Sequence, residues 1–227
     1  MADSAPLKIL LTGATGLVGQ GVARACLASP HVARTVALVR SDGALDARID
    51  RLVLADFRQA ATLATQLAGF DACFYCAGAP PLGTAEALYR QVTVDATVAV
   101  AAAWAVHNPQ GRFLYVSGAH ADPRSRIMPL RVKGEVEAAL VQLPVRSVML
   151  RPAGVRPVAG TGSRHVLLQP LYRVGGPLMS LAGRALPALV TSNETIGRAM
   201  IALALASDPP PVLECAQINR WGAGRAH

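Results

Sequence analysis

The chain has 227 residues, 52% hydrophobic and 4% aromatic, with a formal charge of +8. Such a length buries a sizeable core and suits one folding unit, so residues 1–227 are expected to form a single domain, and the apolar composition excludes a disordered chain. Arg, Asp or Pro interrupts every apolar run before the ~20 residues that a membrane helix needs, so no membrane insertion is expected.

The start, MADSAPLKILLTGATG, has a short polar leader and no secretion-signal pattern, so a cytoplasmic protein is expected. Lys8–Thr12 reads as a strand, followed by a glycine-rich turn and a helix from Leu17 to Ala28 that Pro30 closes. A second strand at Thr35–Val39 completes a βαβ unit. Arg51–Leu54 reads as a third strand, Ala60–Leu67 as a helix and Ala72–Cys76 as a fully apolar strand. A long helix spans Ala85–His107 with a break before Val92. Strand Arg112–Val116, helix Leu130–Leu143 and strand Val145–Leu150 follow. Between Arg151 and Leu189, repeated Pro and Gly separate short apolar pieces, which predicts a small lobe over residues 152–190 at the carboxyl edge of the sheet. Helix Glu194–Ala206, a short strand Val212–Cys215 and a loose tail end the chain. Strands apolar on both faces, alternating with helices, predict an α/β fold, a Rossmann-like doubly wound parallel sheet with a small C-terminal substrate lobe.

The turn Thr12-Gly13-Ala14-Thr15-Gly16-Leu17-Val18-Gly19 lies between a strand and a helix. Gly13 permits the tight turn, Gly16 lets backbone approach a pyrophosphate, and Gly19 lets helix and strand pack closely. Thr15, Leu17 and Val18 complete a cradle at a helix N-terminus, whose amides favour phosphate. NAD or NADP is the expected ligand. The second strand ends Val39-Arg40-Ser41, where a carboxylate would favour NAD and an arginine favours a 2′-phosphate; Arg40 and Ser41 therefore point to NADP, with NAD as the alternative and Asp42 and Asp46 close by. Asp56-Phe57 either flanks the adenine or, through Asp56, caps local backbone. Cys76-Ala77-Gly78 follows the fourth strand with side chains small enough to line the cofactor cleft.

Four cysteines make no disulfide or zinc framework. Cys73 and Cys76 stand three apart on a strand, point to opposite faces and read as buried structural thiols. The cations are nearly all arginine, with Lys8 and Lys133 the two lysines. They are spread along the chain without interleaved aromatics, so a solvated surface is expected and nucleic-acid binding is not.

Together, TGATGLVG, LVR, DACFYCAG, FLYVSGAH, VKGEVE and LRPAGV resemble the short-chain dehydrogenase/reductase superfamily, in its atypical NAD(P)-binding, nucleoside-diphosphate-sugar epimerase-like group. The resemblance covers nearly the whole chain. It implies an oxidoreductase acting on a small carbonyl or alcohol, with Ser117 orienting substrate oxygen and Lys133 binding ribose. It also implies that Pro152 and Val155 pass the nicotinamide. Counting four residues back from Lys133 reaches Pro129, where the family places a tyrosine that exchanges a proton with substrate oxygen. Proline has no proton to give. His120, three residues past Ser117, is the candidate replacement acid or base, and Tyr172 in the expected lobe is a second. Tyr115 shares a face with Ser117 only if the strand runs unbroken. A cofactor-binding regulatory or interaction protein without turnover is the alternative, and a monomer or a homodimer is expected.

Overall fold

The computed structural model describes residues 5–158, 160–161 and 188–224. Seven strands form one parallel sheet: β1 Leu7–Thr12, β2 Val32–Val39, β3 Asp50–Val53, β4 Ala72–Tyr75, β5 Arg112–Val116, β6 Arg146–Arg151 and β9 Val212–Glu214. They lie in the order β3-β2-β1-β4-β5-β6-β9. The order reverses direction between β1 and β4, the place where open α/β sheets leave a crevice at the strands' carboxyl ends. A separate pair, β7 Gly154–Arg156 and β8 Val190–Ser192, is also parallel. The expected doubly wound parallel sheet is present.

Helices cover both faces. One carries α1 Leu17–Ala28, α5 Asn193–Leu205 and α6 Cys215–Gly222, packed on Ile9, Leu11, Phe74 and Leu114. The other carries a 3-10 stretch Phe57–Leu67, α3 Ala96–His107 and α4 Met128–Val141, packed on Leu10, Cys73, Tyr75, Phe113 and Tyr115. The central strands are buried on both sides, so they read as continuous apolar runs without alternation. Cys73 belongs to one apolar layer and Cys76 packs against the other, as their spacing requires. All four cysteines are free.

Several boundaries depart from expectation for local reasons. The segment read as a helix from Ala60 is a 3-10 stretch and begins at Phe57, where Asp56 caps it by accepting from Arg58 N at 3.0 Å. The long helix before β5 is three pieces: α2 Glu86–Arg90, a π turn Gln91–Asp95, and α3. The tail after β9 is helical, where a loose end was expected. Glu214 and Gln217 form a reciprocal capping box that satisfies the first amides of α6. Arg112 departs from the reading of the arginines as a solvated surface with a few anion contacts. Its guanidinium is buried and donates to Leu203 O, Ala204 O and Ser207 O at 2.7–3.0 Å, closing the carboxyl end of α5. Among the described residues, no helix is long and apolar enough to cross a membrane. Most of the expected lobe, Tyr172 included, lies outside the described residues.

Candidate functional site

The glycine turn joins β1 to α1 at the carboxyl edge. Gly13 has φ +68°, and a Cβ there would come within 2.6 Å of Cys76 C and O. Its lack of a side chain thus admits both the left-handed backbone and the end of β4. Thr12 fixes the same junction: its buried Oγ1 accepts from Cys76 N at 3.1 Å and Ala77 N at 3.2 Å. Gly19 is the tightest point, where a Cβ would sit 1.9 Å from Gly13 O.

Helix α1 begins at Gly16, which is exposed, supplies no side-chain cap, and is followed by no acidic residue in the first turn. A helix start without cap or carboxylate presents its amides and its positive dipole end to an anion. Thr15, Leu17 and Val18 are partly exposed around it, and Val18 packs on the apolar layer. These residues fit the pyrophosphate of a dinucleotide. Behind them Asn193, fully buried, donates to Leu17 O at 2.8 Å and to Thr161 Oγ1 at 2.9 Å, so α5 braces the turn. A cavity of about 420 Å³ lies beside it, bounded by Ala14, Thr15, Gln20, Leu45, Ile49 and Thr161.

Arg40 and Ser41 are exposed at the carboxyl end of β2. The nearby carboxylates have arginine partners: Asp42 lies 3.8 Å from Arg51 Nη1, and Asp46 accepts from Arg48 at 2.8 Å and 2.9 Å. The Arg48 hydrogen bonds hold Asp46 near pKa 2, so it stays anionic and paired. Asp56 is likewise held below its usual range by Arg58. Of the pair expected to flank adenine, Asp56 caps the 3-10 stretch and Phe57 is buried in the core. Residues Cys76 and Ala77 are partly exposed and Gly78 is exposed, with open space where its Cβ would stand.

Strand β5 ends on the second cluster. Lys133, partly buried on α4, donates from Nζ to Val116 O at 3.0 Å and lies 4.8 Å above the Tyr115 ring centre. Desolvation lowers its pKa from 10.5 to about 8, opposed by Cys76 and Glu137. Ser117 continues the strand, donating its N–H to Leu150 O at 2.8 Å, and shares the α4 side with Tyr115. Its hydroxyl donates to Glu137 Oε1 at 2.5 Å. Arg151 grips the same carboxylate through Nε at 3.0 Å and Nη2 at 2.5 Å, and reaches Glu214 through Nη1 at 3.2 Å. The Glu137 hydrogen bond raises the already basic Arg151 further.

Residues 129, 133 and 137 recur every four positions and share one side of α4. Pro129 occupies the first turn, where its missing N–H costs nothing. The tyrosine position is therefore a real helical position filled by proline. His120 is exposed in the β5–α4 loop at φ +59°, the one non-glycine residue with positive φ among those described. Ala119 N donates to Pro152 O at 2.9 Å, bringing that loop against the chain leaving β6. Pro152 is buried, whereas Val155 pairs with Thr191 in the small sheet and packs on the α1 side. Glu137 and Arg151 are the members of this cluster whose pairing the sequence reading missed. No local signal joins them, because Arg151 lies on the strand after the helix that carries Glu137.

A family described as NAD(P)H-binding matches residues 13–167. No curated protein matches the chain. Among solved structures it is similar to UDP-glucuronic acid 4-epimerase from Bacillus cereus in complex with NAD, at 16% identity over 91% of this chain and 76% of that one, with a TM-score of 0.65. It is also similar to the Bordetella bronchiseptica enzyme WbmG in complex with NAD (16% identity, 94% and 74% covered, TM-score 0.64). Glucuronic acid dehydrogenase from Chromohalobacter salexigens gives 15% identity, 91% and 75% covered, and a TM-score of 0.65. At these identities the likeness to solved structures is one of fold.

Proposed function

Because the chain belongs to the NAD(P)H-binding family, we propose that it binds NADP across the carboxyl edge of the sheet and acts as an oxidoreductase on a small carbonyl or alcohol. The observation that carries this reading is the pairing of an uncapped, acid-free helix start at Gly16 with exposed Arg40 and Ser41 at the end of β2. The first takes the pyrophosphate and the second a 2′-phosphate. Four free cysteines suit a cytoplasmic setting.

The bound cofactor supplies hydride chemistry, and the chain supplies position and protons. Lys133 would hold the nicotinamide ribose, with Ala77 and Gly78 lining the cleft beside it. Ser117 donates its one hydroxyl proton to Glu137, so toward a substrate it offers lone pairs and orients an oxygen that carries hydrogen. Pro152, on the chain leaving β6, is the residue that would pass the nicotinamide ring. His120 is a candidate donor on the neighbouring loop.

Calorimetric titration with NADPH and NADH, followed by NADPH consumption against a panel of aldehydes and quinones, tests the reading. Arg40→Glu is expected to weaken NADPH by about 100-fold, or 2–3 kcal/mol, and NADH by much less, since a carboxylate repels the 2′-phosphate. Equal losses for both nucleotides would refute the role given to Arg40. A second reading, a regulatory or interaction protein that holds the nucleotide without turnover, is favoured by Pro129. Tight NADPH binding with no consumption across the panel would select it.

A further inference from the structure

With proline at position 129 and the Ser117 proton given to Glu137, the site needs a donor for a developing alkoxide. Tyr115 is fully buried beneath Lys133, and burial holds its phenol far above the usual range. We propose that Lys133 is itself the general acid, giving a proton from Nζ directly to the substrate oxygen. This rests on the cofactor-binding reading above.

Geometry carries the assignment. An ammonium has three N–H donors, and the one hydrogen bond that Lys133 makes among the described residues goes to Val116 O. That bond anchors Nζ at the carboxyl end of β5, one residue before Ser117, and leaves two donors. The side chain is partly exposed and stands one helical turn after Pro129, on the face where a phenol would otherwise lie. Its surroundings keep it unpaired. Cys76, just past β4, is a neutral thiol, since burial raises its pKa. Tyr115 on β5 offers its ring face. Tyr89 on α2, within electrostatic reach of Tyr115, is raised by burial and also neutral. Glu137, one turn along α4, is already engaged by Ser117 and by Arg151 from β6. Desolvation without a hydrogen-bonded carboxylate turns an ordinary lysine into an acid near pKa 8, matched to work close to neutrality.

In carbonyl reduction the substrate carbon gains hydride from the reduced cofactor, the C=O π pair moves onto oxygen, and that oxygen takes a proton from Nζ. Lys133 is left as a neutral amine that solvent reprotonates. The oxidised cofactor and an alcohol are released, and the reverse steps oxidise the alcohol.

The test exploits the lysine content. Isotopically labelled lysine gives two side-chain signals, from Lys8 and Lys133, and Lys8→Arg assigns them. The Lys133 signal is expected to titrate with a midpoint of about 8 in the nucleotide-free protein. NADPH-dependent reduction of phenanthrenequinone, the carbonyl probe, is expected to fall about tenfold per pH unit above that midpoint. Lys133→Arg keeps the cation and a donor to Val116 O but does not release its proton. At an NADPH concentration that calorimetry shows to saturate the variant, it should lose about 100-fold or more of the turnover.

Retention of turnover within about tenfold in Lys133→Arg overturns the proposal. So does a Lys133 midpoint in the ordinary lysine range, or an alkaline limb that ignores the measured midpoint. The same follows if His120→Asn abolishes turnover while Lys133→Arg does not. If Lys133→Arg does not fold, the wild-type titration and rate profile decide. NADPH binding with no quinone reduction overturns the proposal and leaves the cofactor reading standing; failure to bind either nucleotide removes both.

Discussion

Replacing Lys133 with methionine separates the energetics of this lysine from any question of substrate. Its pKa falls from 10.5 to about 8 on folding, chiefly through desolvation. At about 1.4 kcal/mol per unit, the protonated side chain opposes folding by roughly 3 kcal/mol. Below pH 8 both states carry the proton and the penalty is complete. Between pH 8 and 10.5 the unfolded chain still holds the proton while the folded protein has released it, so stability rises with pH across this window. Buried thiols and phenols such as Cys26 and Tyr115 act in the opposite sense at high pH, because the folded state keeps their protons. They are common to both proteins and cancel in the difference. Lys133→Met is therefore expected to be the more stable protein at pH 7, less the value of the bond to Val116 O, about 1–2 kcal/mol. By pH 10 wild type should gain about 2–3 kcal/mol on the variant. Urea unfolding at both pH values, with equal slopes, measures the two differences. A gap that changes by less than about 0.5 kcal/mol would mean that Lys133 keeps its ordinary pKa, and the desolvation argument would fail.

Gly19→Ala should weaken NADPH by about 100-fold while the protein still folds, because a Cβ 1.9 Å from Gly13 O forces the phosphate turn outward by about an ångström. Calorimetry and a melting curve check it, and unchanged affinity would show that the turn does not hold the nucleotide. Glu137→Ala should cost about 2–4 kcal/mol in urea unfolding. It removes the acceptor of Ser117 and leaves Arg151 with the more exposed Glu214. Glu137→Leu combined with Arg151→Met should recover most of that loss; a double variant as unstable as the single one would mean that the ion pair is not the source.

The parallel sheet was legible because buried strands write themselves as apolar runs, and the phosphate turn because glycine answers a backbone demand: Gly13 at φ +68° and Gly19 against Gly13 O leave no room for a Cβ unless the turn shifts. What stayed hidden depends on partners distant in sequence. Nothing near Arg112 says that it will close a helix more than ninety residues later, so it read as surface charge. Ser117 read as orienting substrate oxygen, and its bond to Glu137 was not legible, because that acceptor lies on the next helix and the cation behind it on the next strand. Phe57 looked available to adenine until the 3-10 stretch turned it inward. The helix α6 was missed although its signal was local: Glu214 and Gln217 carry a capping box whose first member is a strand residue.

The proline at position 129 converts the reading of α4 into a gain-of-function experiment. Positions 129, 133 and 137 share a helix face, and the latter two already deliver their side chains to Val116 and Ser117 at the end of β5. A tyrosine at 129 would stand one turn before Lys133, with a nearby cation to favour its phenolate. The exchange is mild for the helix, since it occurs in the first turn and removes only the fixed φ of proline, worth about 1 kcal/mol or less. Pro129→Tyr is accordingly expected to raise quinone reduction by about tenfold or more with NADPH affinity unchanged. In Pro129→Tyr/Lys133→Arg, activity should survive better than in Lys133→Arg alone, because the phenol takes over as donor. If Pro129→Tyr binds NADPH normally and gains nothing in either background, the face of α4 that carries Lys133 does not look onto the reacting atoms, and the site must be rebuilt around the His120 loop.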